Sequence, residues 1–98
     1  MAGRAEWEEL RERRMAEPAA EAGYRAAQLA YELGRTVREL RERRGWSQSV
    51  LAHRAGMTQS AVARFEAGGT TPTLPVLDRL ARALDADLAV QINPRQPA

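Results

Sequence analysis

Few residues of this chain could do chemistry, and those that could are suited to recognition rather than reaction. A segment with helical spacing begins near Gln59 and exposes Gln59, Ser60, Ala63 and Arg64 on one side. These are short or hydrogen-bonding side chains near the start of a helix, the end that enters a DNA major groove in proteins that read bases. Reaction chemistry has no comparable set. His53 is the only histidine, sits mid-helix and has no evident carboxylate pair beside it. The absence of cysteine removes thiolate nucleophiles, disulfides and thiolate metal sites. The ligands that remain are too few for a metal centre. Gly68-Gly69 lacks the pattern of a phosphate-binding loop and reads as a turn. No catalytic residue, metal or cofactor is expected, and an enzyme is not.

The elements that would position this face have the spacing of a helix-turn-helix between Gln48 and Phe65. Leu51, Ala55, Met57, Val62 and Phe65 are apolar where two crossed helices share a core. Ala52 is small where the second helix crosses close to the first. Gly56 stands where a tight turn wants a left-handed backbone. Ser47 is placed to cap a helix over Gln48–Ala55, and Thr58 to cap one from Gln59 to about Ala67. After the loop 68–72, Thr73 can cap a last helix to Leu84, with Pro75 in its tolerant first turn. The same spacing would also serve a helical bundle that never touches DNA.

Upstream, alanine, leucine, arginine and glutamate favour helix throughout. A short first helix is expected over about Trp7–Met15. A second is expected from Pro18 to Arg44, ended by Gly45 and with a possible junction at Gly34. Leu29, Leu33, Val37 and Leu40 make one apolar stripe on it, and Tyr24, Ala27 and Tyr31 make another. The tail changes period. Leu88, Val90 and Ile92 alternate with Ala89 and Gln91, which is strand spacing, and a strand without a partner in its own chain points to a second copy.

Charge follows the same division. Residues 1–34 hold five Arg against seven Glu, a net of −2, residues 35–68 hold seven Arg against three Glu, a net of +4, and residues 69–98 balance at zero. A basic block between acidic and neutral flanks suits a polyanion, though a solvated arginine-rich surface would give the same count. No apolar run approaches the length of a membrane helix, and Met1-Ala2-Gly3-Arg4 lacks the apolar stretch of a signal peptide. A cytoplasmic protein is expected.

Residues 35–84 resemble the helix-turn-helix domain of phage repressors and XRE-type (Cro/C1-type) regulators. The matching residues are Leu40-Arg41-Glu42-Arg43-Arg44-Gly45-Trp46-Ser47-Gln48, Leu51-Ala52, Gly56-Met57-Thr58-Gln59-Ser60 and Phe65-Glu66-Ala67-Gly68. Ala67 departs from the family, which has asparagine there. The resemblance implies an all-α, phage-repressor-like domain of five helices, with extra N-terminal helices and a short C-terminal strand. It implies that Gln48 contacts a phosphate, that Gln59, Ser60 and Arg64 face base edges, and that Thr58 and Thr70 bind phosphates. Arg43 and Arg44 could add phosphate contacts or form a plain solvated helix end. Arg41 and Glu66 fill the positions of an ion pair that orients the recognition helix. A homodimer on a double-stranded operator is implied, with Leu88, Val90 and Ile92 as the expected dimer contact.

The order of segments is similar to that of HigA-type antitoxins, which bind a RelE/HigB-like ribonuclease toxin and repress the shared operon. That likeness rests on Trp7, Tyr24, Tyr31 and the 88–92 strand. Three segments are expected on this reading: 1–34, a helical extension that binds a toxin through Trp7, Leu10, Tyr24 and Tyr31; 35–85, the DNA-binding domain; and 86–98, the dimerising tail. Self-packing of the same aromatic residues is the simpler alternative, and a stand-alone regulator or a protein-interaction module are the competing functions.

Overall fold

In a computed structural model, the residues described are 18–96 together with Glu6, Glu9 and Arg11. From residue 18 onward, four helices occur in order among the described residues: α1 over Pro18–Arg43, α2 over Gln48–Ala55, α3 over Gln59–Glu66 and α4 over Leu74–Ala83. Of the expected first helix around Trp7–Met15 only Glu9 and Arg11 are described, both helical, and the partner-binding candidates Trp7 and Leu10 lie outside the described residues.

The core forms where the second half of α1 meets the three short helices. Val37, Leu51, Ala52, Ala55, Val62, Phe65, Leu80 and Leu84 are its buried members. Leu33, Leu40, Trp46 and Met57 pack against them from the edge. Short helices of eight residues are not stable alone, so burial of these side chains supports α2 and α3. The N-terminal part of α1 lies mostly beyond the core, with Ala30 buried at its end. Leu29, Tyr24 and Tyr31 are 58%, 62% and 59% exposed on it. Ion pairs Glu21–Arg25, Arg35–Glu39 and Arg38–Glu42 lie four residues apart along its exposed side, each contributing a few tenths of a kcal/mol to helix stability.

Caps set the boundaries. Ser47, Thr58 and Thr73 each accept the backbone N–H three residues on, at 3.2, 3.1 and 3.4 Å. All four helices end alike: a residue with positive φ donates back three residues and its successor donates back five. Gly45, Gly56 and Gly68 hold that place in the first three helices, and Asp85 holds it after α4 with φ 54. This left-handed closure satisfies carbonyls that a helix end would leave open.

Two expectations change. Gly34 is no junction, because α1 runs unbroken through it. It is required by a crossing: a Cβ built there would lie 2.4 Å from the Phe65 carbonyl oxygen and 2.7 Å from that of Glu66. The expected boundary between residues 34 and 35 therefore falls inside one helix. Of the expected helices, four lie among the described residues. Finally, residues 88–92 have strand spacing but form no strand among the described residues. Strand formation requires a ladder partner, and the described residues offer none. Val90 and Ile92 remain 64% and 95% exposed. No helix among the described residues is long and apolar enough to cross a membrane.

Candidate nucleic-acid interface

The turn Gly56-Met57-Thr58 sets α3 across α2. Gly56 takes φ 67 and ψ 35, donating to the Ala52 and His53 carbonyls. Val62 and Phe65 then face the core while Gln59, Ser60 and Arg64 stay exposed and Ala63 is half-buried. Thr58 accepts from the Ala61 N–H, so its hydroxyl hydrogen is still free to donate. Thr70 is half-buried in the following loop, and Arg43 is exposed at the end of α1. Among the described residues, no ion pair includes Arg64.

Behind this face lies a hydrogen-bonded chain. Arg41 Nε donates to Glu66 Oε2 at 2.7 Å and Nη2 donates to Oε1 at 2.9 Å. Its third nitrogen, Nη1, donates to the Trp46 carbonyl at 2.7 Å. The side chains are 11% and 3% exposed, and a bidentate fork of this kind is the favourable geometry for a buried charge pair. The hydrogen bond to Glu66 holds the Arg41 pKa above its ordinary value, against a smaller opposing effect of burial. Gln48 Nε2 donates to Glu66 Oε1 at 3.2 Å, and Gln59 Nε2 donates to Gln48 Oε1 at 2.9 Å. Four residues from α1, α2 and α3 thus join in series.

Arg44 is committed within the fold. Its Nε donates to the Leu84 carbonyl at 3.1 Å, and its guanidinium lies 5.1 Å from the centre of the Trp46 ring. The guanidinium of Arg54 lies 4.5 Å from that ring. Trp46 is therefore in contact with two cations, about 0.5–1 kcal/mol each at a partly exposed site. Sequence reasoning missed Arg54 and the Gln48–Gln59 contact. Nothing local signals either, because each depends on how the helices cross.

The sequence from residue 32 to residue 91 matches a helix-turn-helix domain family model. The chain belongs to that family. As a helix-turn-helix protein it is a DNA-binding transcriptional regulator of XRE type. Its structure is similar to that of the restriction-modification controller protein C.AhdI from Aeromonas hydrophila, at 36% identity and a TM-score of 0.58, covering 59% of this helix-turn-helix chain and 88% of the other. No curated protein shows significant similarity to it.

Proposed function

We propose that this chain is a homodimeric, sequence-specific operator-binding regulator that reads bases through Gln59, Ser60 and Arg64. The observation that carries the reading is the state of Gln59. Its nitrogen donates one hydrogen to Gln48, which leaves its oxygen and its other N–H free. Those are the acceptor and donor that adenine N6 and N7 require in the major groove. Arg64 offers the matching fork for guanine. Gln48, Thr58 and Thr70 take phosphates and set the register, with Arg43 beside them. Arg44, tied to Leu84 and Trp46, would reach a phosphate only by giving up those partners. Replacing Gln48, Gln59 and Arg64 together by alanine is expected to reduce operator affinity by at least about a hundredfold, since each good base contact contributes roughly 1–3 kcal/mol of discrimination. A mobility-shift titration reads this, and unchanged affinity would transfer the fold to protein interaction alone.

On this reading residues 35–85 are the DNA-binding unit, 1–34 an extension and 86–98 a dimerising tail. Leu88, Val90 and Ile92 line an apolar groove, or stand beyond it, against the start of α4. A second copy would supply the ladder partner that the tail lacks. Val90→Pro removes a donor from that ladder and is expected to shift the dimer towards monomer in sedimentation at low concentration. A variant as dimeric as the parent would move the contact elsewhere.

An antitoxin role is the second reading. Exposure of Tyr24 and Tyr31 on a net acidic stretch favours it, because aromatic residues are over-represented at interface centres. The similarities found point to a regulator and give no sign of a toxin, so the stand-alone regulator is the function proposed. The two readings share the same DNA face and differ in what covers Tyr24 and Tyr31.

A further inference from the structure

The N-terminal part of α1 leaves an apolar groove uncovered. Ala26, Ala30 and Leu33 form its floor on α1, Leu74 and Leu77 make a wall on α4, and Val90 of the tail makes another. Leu74 and Val90 stand exposed, as does Leu29 at the rim. Tyr24 and Tyr31 lie about a third of a turn away on α1 and do not line the groove. Pro18 opens α1. A proline disfavours helical backbone in the residue before it, so a change of chain direction between residues 15 and 18 is favoured over one continuous helix. Upstream, Glu6, Glu9 and Arg11 are helical and exposed. At helical spacing Glu6 and Arg11 flank a stripe of Trp7, Leu10 and the stem of Arg14, and Glu9 lies behind it. A helix folded back at 16–17 brings Trp7 level with Ala26 and Ala27, and Leu10 about one turn nearer Pro18.

We propose that residues 7–15 of this chain dock along that groove as an intramolecular strap, with Trp7 and Leu10 turned onto the face of α1 that carries Ala26 and Ala30. Tethering favours this segment over a second copy. A link of a few residues holds it at the groove at an effective concentration in the millimolar range, which separate chains do not reach. Trp7 brings one of the largest apolar surfaces a side chain offers, and the small residues on α1 let a second helix come close. The cover supplies the N-terminal part of α1 with burial, the main source of helix stability in proteins. The strap meets the side chains of the tail and leaves its backbone open to a ladder. Tyr24 and Tyr31 stay uncovered, so a partner on the tyrosine side does not have to displace the strap. This docking is independent of the DNA-reading role and holds whether or not the domain reads bases.

The chain has no cysteine, so introduced pairs read the docking on the full chain. Arg11→Cys with Gly23→Cys sets one thiol at the edge of the strap and the other on the groove side of α1, where an added Cβ meets nothing within 4 Å. Arg11→Cys with Glu21→Cys sets the second thiol at a similar level on the tyrosine side. A short thiol-reactive cross-linker is expected to join the first pair within one chain at least about tenfold faster than the second. Adding Ala26→Asp, which puts a charge on the groove floor, should abolish the difference. Equal rates for the two pairs without Ala26→Asp would overturn the proposal, because the strap is then undocked. A faster second pair would overturn it in favour of the tyrosine side, and products that join two chains would overturn it in favour of a second copy. Hydrogen exchange supplies a reading without cysteines. Trp7→Ser should lose amide protection over residues 22–30 and keep that of the core helices. Protection over 22–30 equal to the parent's would overturn the proposal as well.

Discussion

Glu66→Ala is expected to lower the stability of the domain by about 3 kcal/mol, which for a chain of this size is a fall in melting temperature of at least about 10 °C. The cause is the charge left behind. Arg41 would keep its hydrogen bond to the Trp46 carbonyl but lose both bonds to Glu66, while its side chain is 11% exposed. A guanidinium in that position stays charged and cannot be fully rehydrated without opening the contact between α1 and α3. The pair itself is not a large source of net stability, because taking both charges out of water costs about as much as their attraction returns. Replacing both, Arg41→Met with Glu66→Leu, should therefore recover most of the loss. Thermal melts of the single and double variants check this. An unchanged melting temperature in Glu66→Ala would mean that the pair is hydrated and holds nothing in place.

Gly34→Ala should also be strongly destabilising, against what helix propensity alone predicts. Alanine in mid-helix is favoured over glycine by about 1 kcal/mol. At residue 34 the added methyl would meet the Phe65 and Glu66 carbonyl oxygens at 2.4 and 2.7 Å. Those are backbone atoms of the recognition helix and cannot rotate away. Overpacking of this kind costs about 1–3 kcal/mol and sometimes more, so a net loss of about 2 kcal/mol is expected, with α3 displaced and DNA affinity reduced. Gly23 is the control. It lies in the same helix with nothing within 4 Å of an added Cβ, and Gly23→Ala should gain about 0.5–1 kcal/mol. Opposite signs for the two substitutions, read by denaturant unfolding, are the result to look for. A stabilising Gly34→Ala would place α3 further from α1 than the present geometry has it.

Residues 34 and 66 also show how far sequence reasoning reaches. Local chemistry is legible: Ser47, Thr58 and Thr73 cap helices because their hydroxyls sit just before apolar periodicity begins, and glycines mark the ends of α1, α2 and α3. The helix-turn-helix itself is readable from the spacing of Leu51, Ala55, Met57, Val62 and Phe65. Gly34 reads locally as an interruption, since nothing near it in the chain says that another helix crosses there. The tail reads as a strand because side-chain period is local, whereas a ladder needs a neighbour that the described residues do not supply. Arg44 reads as a free cation, and its attachment to Leu84 depends on a contact forty residues away. The base-reading candidates Gln59, Ser60 and Arg64 are visible from their place on the helix. The link from Gln48 to Gln59 is not, because it exists only once the two helices have crossed.

The central claim, that this face reads DNA by sequence, is tested most directly by titrating the protein against duplex from its own promoter and against a scrambled duplex of the same composition, at two salt concentrations. Tight binding to the promoter is expected, weakening steeply with salt, at an affinity roughly a thousandfold or more above that for the scramble. Equal and weak binding to both duplexes would refute the claim, and would leave a basic helical domain whose function lies in its protein contacts.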